Sequence, residues 1–456
     1  MFKMNHLVNF GRLQHMKGLI KNFAKGTGGL RAFFLSLSLL FFLSVSFFAY
    51  LMGISMDNSD ADSAELNFPG DGIAETKIGT PLPEPVLPAA SSTSSILSMP
   101  ISAGESAPDS SASSSADFLN YNFGMSVGEA MMGLSDLELG RQLDDVASLG
   151  IGWLRFDIDW AHVQPDNRND FDWRAIDRFV KAASKRGVKL LAIVGYTPKW
   201  ARSPDCLSNG DRCAPGNAGE FAVFAAEAAA RYSPRGVKTW EIWNEPNLKG
   251  SWEPAADIGD YAALLKASSL AIKKADSEAI VIAGGMGPAA SKNGSISPID
   301  FLSGLYRSEA RDYFDAIGYH PYCYPDAPDD FQTWSGWSQM AQTKINLRSV
   351  MQDNGGSAKQ IWLTEFGAPT GGPGGIKISA KDLARAGVDH VSENLQSQMI
   401  SQAISYVKKN SWIGPLFIYS YRDLGTATGT NENFFGVLRH DGSKKPAYDA
   451  IKSEIR

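Results

Sequence analysis

The feature that most constrains the fold is a regular alternation of two kinds of segment from Asn120 towards the C-terminus. Short apolar or β-branched runs alternate with amphipathic stretches of helical length. Such alternation predicts a parallel sheet with crossover helices, and eight repeats of the pair predict a closed (β/α)₈, or TIM, barrel of the α/β class. A doubly wound open sheet is the alternative, but it more often carries a glycine-rich phosphate turn after its first strand. The sequence has no such turn there.

The limits of these runs give the boundaries of the predicted elements. The predicted strands are Tyr121–Val127, Trp153–Trp160, Lys189–Gly195, Lys238–Asn244, Ala279–Gly285, Ala316–Tyr322, Gln360–Phe366 and Gly414–Tyr421. The predicted helices cover approximately 135–149, 172–186, 218–232, 257–276, 298–308, 338–353, 393–409 and 446–455. The sequence ends after the last of them, so we expect no accessory domain after the barrel. Active sites of such barrels lie at the carboxyl ends of the strands, so polar residues at those ends are the functional candidates.

The N-terminal region has the pattern of a membrane anchor. Residues 1–31 carry six Lys or Arg and no acidic residue, and residues 32–54 form an apolar run. A run of this length can span a bilayer as a helix, and the positive-inside rule places the basic segment in the cytoplasm. We therefore expect a single-pass signal anchor in the cytoplasmic membrane. The chain after the anchor is then expected to lie outside the cytoplasm, in the periplasm or the extracellular space. A cleaved signal peptide is the alternative, although its apolar region is usually only about 7–15 residues long.

Residues 55–117 are predicted to form a flexible linker. Between Ser91 and Asp117, 12 of 27 residues are Ser, and several Pro residues precede this stretch. Such a composition cannot bury enough apolar surface to offset chain entropy, so it suits a tether. The barrel domain is then expected to cover 118–456. The formal net charge of −6 argues against a nucleic-acid partner, which would normally require a basic surface.

The cysteines point to a structural cross-link. Cys206 and Cys213 lie close together in a loop rich in Gly, Pro, Asn and Asp. In an exported protein such a pair is expected to form a disulfide. A Cys pair without companion ligands is a poor zinc site, since zinc usually takes four ligands, so no metal site is predicted. Cys323 is expected to be buried.

Two glutamates are the main catalytic candidates. The fourth predicted strand ends in Trp-Asn-Glu-Pro at 243–246, and the seventh ends in Thr-Glu-Phe-Gly at 364–367. Each motif places a Glu, Glu245 or Glu365, at the carboxyl end of a strand, and these two strands face each other across the mouth of an eight-stranded barrel. Glycoside hydrolysis needs two carboxyl groups flanking the scissile bond. The alternative is that both are ordinary solvated glutamates.

These two motifs resemble the signatures of the large retaining (β/α)₈ glycosidase clan, clan A. The similarity covers approximately 120–456 and is closest to glycoside hydrolase family 39, in particular its bacterial members associated with exopolysaccharides. The resemblance implies that Glu245 is the general acid/base, Glu365 is the nucleophile and Asn244 contacts the sugar 2-hydroxyl. It implies no cofactor. This sequence departs from the family pattern in two ways. Many clan members carry a Trp in strand eight, where this sequence has the stretch 419–423, and family 39 xylosidases usually have an additional β-rich domain. The resemblance therefore does not identify the sugar that the enzyme cleaves.

Three further residues are predicted to support the pair. His320 and Tyr322 lie at the end of the sixth predicted strand, where the clan often places a His or Tyr near the nucleophile. A tyrosine hydroxyl can orient a carboxylate and hold it ionised. Arg155 on strand two would be costly inside a barrel unless it is paired, and we expect a carboxylate partner such as Glu365. An ion pair with Asp157 is the alternative.

Aromatic residues near the strand ends are candidate sugar contacts, because aromatic faces stack on sugar rings. The alternative for each is ordinary core packing. The candidates are Trp160, Trp200 and Tyr421.

The sequence thus predicts a retaining glycoside hydrolase that acts on a polysaccharide or oligosaccharide exported by the cell, with the export machinery as an expected partner. Scavenging of environmental glycans is the rival role for an enzyme. A different class of function is a catalytically silent barrel that binds polysaccharide within an export complex.

Overall fold

The computed structural model describes residues 119–208, 210–371 and 390–455, and these form a closed barrel of eight parallel strands. The strands follow one another around the barrel in chain order, and β1 pairs with β8 to close it. The predicted (β/α)₈ fold is therefore confirmed for this part of the chain. The strands are β1 Asn120–Ser126, β2 Ile151–Asp159, β3 Lys189–Gly195, β4 Thr239–Asn244, β5 Ile280–Met286, β6 Ala316–Tyr319, β7 Ile361–Phe366 and β8 Ile413–Ile418.

The helices pack outside the strands and agree with the predicted positions except at two places. The predicted helix 338–353 is split into two helices, because Asn346 caps the start of the second one. The Asn346 side chain accepts a hydrogen bond from the backbone N–H of Ser349, and the Ser349 hydroxyl accepts one from the backbone N–H of Asn346. A short additional helix also follows β2. In the described residues the helices are α1 Asp136–Ser148, α2 Trp160–Val163, α3 Arg174–Ser184, α4 Ala218–Tyr232, α5 Ile258–Ala275, α6 Pro298–Arg307, α7 Gly336–Ala341, α8 Leu347–Asp353, α9 Glu393–Lys409 and α10 Pro446–Ile455.

Strands β6 and β8 end earlier than predicted. Pro321 has no backbone N–H to continue the pairing of β6, so His320 and Tyr322 lie in the loop beyond the strand. After β8 the chain pairs with a later segment instead of with its barrel neighbours: Ser420 donates to the carbonyl of Phe435 over 3.1 Å. Both changes leave polar side chains at the rim of the barrel.

The barrel interior is filled in layers. A separate apolar cluster occupies its lower part and includes Trp153, Trp362 and Phe417, with the two indole rings 5.4 Å apart. Side chains two positions further along a strand point into the same interior, so the next layer contains Arg155 above Trp153 and Thr364 above Trp362. The apolar layer excludes water from below and leaves the polar groups of the upper layer facing the barrel mouth.

Two predictions about the periphery have different outcomes. The disulfide between Cys206 and Cys213 is confirmed, and Cys323 is a buried free thiol. The predicted anchor at 32–54 and linker at 55–117 lie outside the described residues. Within the three described ranges, no helix is both long and apolar enough to cross a membrane.

Candidate active site

The end of β4 has an unusual backbone. Trp243 and Glu245, on either side of Asn244, adopt φ values of 70° and 50°, a region that residues other than glycine rarely visit. Such conformations persist only where the surroundings enforce them. Here the Trp243 indole N–H donates to the Ser251 carbonyl over 2.7 Å and its ring packs 5.1 Å from that of Trp252. This packing holds Asn244 and Glu245 in place at the rim.

Arg155 is the hub of the polar layer inside the barrel. Its Nε donates to Glu241 Oε2 over 2.6 Å, one terminal nitrogen donates to Glu365 Oε1, and the other donates to Asn244 Oδ1 over 2.8 Å. Burial alone would lower the pKa of Arg155, but Glu241 and Glu365 raise it above its ordinary value. The expected pairing of Arg155 with Glu365 is therefore present. The alternative partner, Asp157, does not come within ion-pair distance of Arg155.

Glu365 is held in its ionised form by its neighbours. The Tyr322 hydroxyl donates to Glu365 Oε2 over 2.8 Å, and Arg155 binds the other carboxylate oxygen. Burial acts to raise the pKa of Glu365, but His320, Arg155 and Tyr322 together hold it below its ordinary value. A carboxylate that stays ionised and accepts hydrogen bonds from fixed donors is suited to attack an electrophilic carbon.

His320 lies between the two candidate catalytic glutamates. Its Nδ1 is 3.1 Å from Glu245 Oε1 and 3.6 Å from Glu365 Oε2. Its Nε2 lies 3.5 Å from a terminal nitrogen of Arg155, which can only donate. This favours the tautomer with the proton on Nδ1, facing both carboxylates. Glu245 receives one further polar contact, from the Ser251 hydroxyl at 3.5 Å, and no arginine binds it in the described residues.

Replacing Arg155 by Met tests whether this hub also stabilises the fold. The substitution leaves Glu241 and Glu365 without their cation in a buried site, and breaking a buried pair in this way costs about 3–5 kcal/mol. We expect a marked fall in the urea midpoint of unfolding. Arg174→Met, which removes an exposed pair with Asp172, is the control and should leave the midpoint unchanged. An equal midpoint for both variants would show that Arg155 has no such role.

Replacing Tyr322 by Phe tests the assignment of Glu365. The change removes the hydroxyl that stabilises the ionised carboxylate, so the pKa of Glu365 rises. Activity that needs Glu365 ionised is lost as the pH falls through this pKa, so the acidic limb of the kcat/KM profile should move to higher pH. A charge-assisted hydrogen bond also contributes enough to predict a loss of about tenfold or more in kcat/KM. An unshifted acidic limb would contradict the role given to Tyr322.

Glu241, which was not among the predicted site residues, is fully buried on β4 and accepts from Arg155 and from the Thr364 hydroxyl at 2.9 Å. The signal was an acidic residue in the middle of an apolar strand, which requires a buried partner. Glu432 was also missed. It lies in a loop after β8 and accepts from the Tyr419 hydroxyl over 3.1 Å. Burial raises the pKa of Glu432, and Glu365 and Glu245 add to the effect, so Glu432 belongs to the same barrel mouth.

Two predicted sugar contacts are corrected by the structure. Trp160 is 1% exposed, donates to Gln164 and stacks on Phe224 in the core between strands and helices. Tyr421 is 5% exposed and its hydroxyl donates to Asp145 of α1. Both side chains were predicted from strand-end positions, but Trp160 begins a helix that turns it away from the mouth, and Tyr421 lies beyond the point where β8 leaves the barrel.

Trp200, the third aromatic candidate, is half-buried. Its indole N–H donates to the Gln164 carbonyl over 2.8 Å, and its ring packs edge-on against Trp160 at 5.4 Å. One part of the ring stays accessible in the loop after β3. The structure does not bring it into the cluster around Arg155.

Two groups of residues in the described ranges have the composition of a metal site. One contains Cys206 and Cys213, which are joined in a disulfide and so offer no thiolate. The other contains Glu129, Asp159 and His162. There His162 Nδ1 lies 2.8 Å from Glu129, and Asp159 caps α2 through the backbone N–H groups of Ala161 and His162. The second group is therefore an internal ion pair and a helix cap.

With this geometry established, comparison with known proteins gives a consistent result. The family model described as cellulase (glycosyl hydrolase family 5) matches residues 124–408, more than half of the chain. A beta-xylosidase from Caldicellulosiruptor saccharolyticus is 30% identical over 172 residues, which cover 33% of this chain and 34% of the relative. This match therefore spans about a third of the relative's length.

Solved structures show the same fold. A family 39 glycoside hydrolase from Bacteroides cellulosilyticus WH2 has a TM-score of 0.58 and 21% identity, covering 75% of this chain and 64% of that one. A beta-xylosidase from Caulobacter crescentus CB15 has a TM-score of 0.54 and 18% identity, covering 74% and 67%. The predicted resemblance to clan A, with family 39 as a close neighbour, is confirmed by the family match and these structures.

Proposed function

The chain belongs to the cellulase family of glycosyl hydrolases, family 5, and we propose that it is a retaining glycoside hydrolase with Glu365 as nucleophile and Glu245 as general acid/base. Asn244, Arg155, His320 and Tyr322 are proposed to bind the sugar or to position the two carboxyl groups. The proposal assigns opposite roles to two chemically identical side chains. The support for it is the difference between their surroundings.

The observation that carries the proposal is the position of His320. Its Nδ1 contacts Glu245 Oε1 at 3.1 Å and Glu365 Oε2 at 3.6 Å, so these two carboxylate oxygens are at most about 6.7 Å apart. The two catalytic carboxyl groups lie about 5–5.5 Å apart in retaining enzymes and about 6.5–9.5 Å apart in inverting enzymes. This bound includes the retaining separation and only the lower end of the inverting range. It therefore supports direct attack by a carboxylate.

The mechanism then has two displacements. In the first, the ionised Glu365 attacks the anomeric carbon, the glycosidic C–O bond breaks, and Glu245 donates its proton to the leaving oxygen. A glycosyl ester forms on Glu365. In the second, Glu245 takes a proton from water, whose oxygen attacks the anomeric carbon and releases Glu365. Two inversions restore the original anomeric configuration.

The assignment of roles follows from the donors around each glutamate. Glu365 accepts from Arg155 and Tyr322, which stabilise the negative charge needed for attack. In the described residues, Glu245 is contacted by the imidazole of His320 and by the more distant Ser251 hydroxyl, and by no arginine. Both glutamates share His320, so the difference between them is the arginine, and the carboxyl group without it is the better proton donor.

We propose a polysaccharide or oligosaccharide substrate, and specifically a glycan exported by the cell. The resemblance to exopolysaccharide-associated family 39 members supports this substrate. The predicted anchor at 32–54 and linker at 55–117 would place the barrel outside the cytoplasmic membrane, within reach of a glycan leaving the cell and of its export machinery. The similarity to a beta-xylosidase makes β-xylosides the first model substrates.

Recovery of the full chain from the carbonate-washed membrane fraction tests the predicted membrane anchor. Release of the full chain into the soluble fraction would contradict the anchor.

Digestion of a glycan panel by the full chain tests the enzymatic proposal. The panel contains xylan, β-glucans, mannan and the exopolysaccharide of the source cells, and products are sized by chromatography. We expect chain shortening of at least one glycan by the native protein and none by Glu245→Gln. The competing function, a silent barrel that binds polysaccharide, predicts retention of the native protein on a glycan without any release of shorter products.

A further inference from the structure

Glu241 is a charged side chain in the polar layer of the barrel to which the proposed mechanism gives no role. It is fully buried on β4. Arg155 Nε donates to its Oε2 over 2.6 Å, and the Thr364 hydroxyl donates to its Oε1 over 2.9 Å. Burying a carboxylate is costly even when it is paired, whereas a neutral oxygen could accept the same two hydrogen bonds. The charge of Glu241 therefore needs an explanation beyond hydrogen bonding.

Two neighbouring strands leave space for this carboxylate. A Cβ at Gly285 of β5 would lie 2.8 Å from Glu241 Oε1, and one at Gly318 of β6 would lie 2.6 Å from the same oxygen. Both distances are shorter than real Cβ contacts, so a side chain at either position would displace the carboxylate. The position of Glu241 beside Arg155 is thus fixed by three adjacent strands.

Arg155 is shared between two carboxylates. Glu241 pairs with its Nε from below, and Glu365 pairs with one of its terminal nitrogens at the mouth. The three side chains together carry one positive and two negative charges. An arginine with Glu365 as its only carboxylate partner would concentrate its attraction on the nucleophile. With Glu241 present, that attraction is divided between the two carboxylates.

The reaction changes the charge of this cluster. The transition state of glycoside hydrolysis resembles an oxocarbenium ion, so positive charge develops on the sugar while Glu365 loses its negative charge to the new bond. A guanidinium without a second carboxylate would then stand unbalanced beside a cationic sugar. Electrostatic effects are large where water is excluded, and the apolar layer of Trp153, Trp362 and Phe417 lies directly below.

We infer that Glu241 is a positioning residue of the reaction, whose charge balances that of Arg155. The guanidinium can then orient Glu365 without suppressing its nucleophilicity and without opposing the positive charge of the transition state. The inference rests on the proposed glycosidase function. Glu241 acts through Arg155 and, being fully buried, does not touch the sugar. A residue that only anchored Arg155 would need an accepting oxygen but no charge, and this difference can be tested.

Glu241→Gln removes the charge and keeps the hydrogen bonds. The amide oxygen can still accept from Arg155, and the amide nitrogen can donate to the Thr364 hydroxyl. Arg155 then acts on Glu365 alone and lowers the pKa of Glu365 further. Activity that needs Glu365 ionised should persist to lower pH, so the acidic limb of the kcat/KM profile should move down by about one pH unit. We also expect kcat to fall about tenfold or more.

The assay uses the full chain and the 4-nitrophenyl β-glycosides of xylose, glucose and mannose, with the profile recorded on the probe that is cleaved. Tyr322→Phe is expected to move the acidic limb in the opposite direction. The double variant, Glu241→Gln with Tyr322→Phe, should therefore have its limb between those of the two single variants. Far-UV circular dichroism and cooperative urea unfolding establish that each variant is folded.

Thr364→Val carries the test if Glu241→Gln does not fold. It removes a donor to Glu241 but keeps every charge, so Glu241 neutralises Arg155 more completely and the acidic limb should move to higher pH. Glu393→Gln is the matched control, because it removes the charge of a partly buried carboxylate paired with Arg439 at 2.6 Å, outside the polar layer. Its limb should coincide with that of the native protein.

The outcomes separate this inference from the proposed function. A folded Glu241→Gln whose acidic limb coincides with the native one, whatever its rate, shows that Glu241 only anchors Arg155 and overturns the inference. If that variant does not fold, an unmoved or lowered limb in Thr364→Val does the same. Release of no 4-nitrophenol from any probe by the native protein, together with no cleavage of the glycan panel, overturns the proposed function instead.

Discussion

Replacing Glu365 by Gln is expected to lower kcat on the order of 10⁴-fold or more, since loss of a nucleophile removes the covalent route altogether. The amide is nearly isosteric with the carboxylate, and its one carbonyl oxygen can still accept from either Arg155 or Tyr322. It has no negative charge with which to attack the anomeric carbon. The loss corresponds to about 5 kcal/mol or more of transition-state stabilisation. Initial rates on a cleaved aryl glycoside, with purified full-length protein, measure the effect.

The fold must be shown to survive this change. Unfolding of Glu365→Gln should stay cooperative and its far-UV circular dichroism should match that of the native protein. Glu432→Gln is the matched control, because it changes another carboxylate at the same mouth that does not contact Arg155, and it should keep far more activity. In Glu365→Ala, added azide should act as an external nucleophile and yield a glycosyl azide of inverted configuration. A Glu365→Gln variant with activity within about tenfold of native would exclude the nucleophile role.

Replacing Glu245 by Ala is expected to produce a loss that depends on the leaving group. A poor leaving group such as an alcohol needs its oxygen protonated as the bond breaks, so cleavage should fall by about 10²–10⁴-fold, the usual contribution of general acid catalysis. A 2,4-dinitrophenolate leaves without protonation, so formation of the glycosyl ester should hardly change. Deglycosylation should become rate-limiting, because no base remains to activate water. A burst of dinitrophenol followed by slow turnover is the expected result.

Azide distinguishes the two glutamates from each other. In Glu245→Ala it needs no base and should restore turnover of the dinitrophenyl glycoside, giving a glycosyl azide of retained configuration. Ser251→Ala is the matched control, since Ser251 contacts Glu245 at 3.5 Å but takes no part in proton transfer, and it should show no burst. Equal losses for good and poor leaving groups in Glu245→Ala would contradict its role as the acid.

The barrel and the two glutamates could be predicted because each depends on a local pattern. Alternating strand and helix signals define the fold, and a strand end places a residue at the mouth whatever the rest of the chain does. The partner of Arg155 was also predictable, since a buried guanidinium requires a carboxylate. Glu241 as its second partner was not predicted, because the need for a carboxylate does not say how many of the strand carboxylates supply it.

The residues that sequence reasoning placed wrongly lie where strands end. Whether Trp160 faces the mouth depends on the helix that begins at this residue. The side-chain direction of Tyr421 depends on the departure of β8 from the barrel to pair with the segment around Leu438, to which Tyr421 contributes a backbone carbonyl. Such departures are set by tertiary pairing between distant loops.

The anomeric configuration of the first product distinguishes nucleophilic attack by Glu365 from direct attack by water. Proton NMR of a reaction with the native enzyme, recorded before mutarotation, reports whether the newly formed hemiacetal has the configuration of the substrate. The arrangement of Glu365, His320 and Glu245 predicts retention, through a glycosyl ester on Glu365. A first product of inverted configuration would contradict the assignment of Glu365 as nucleophile.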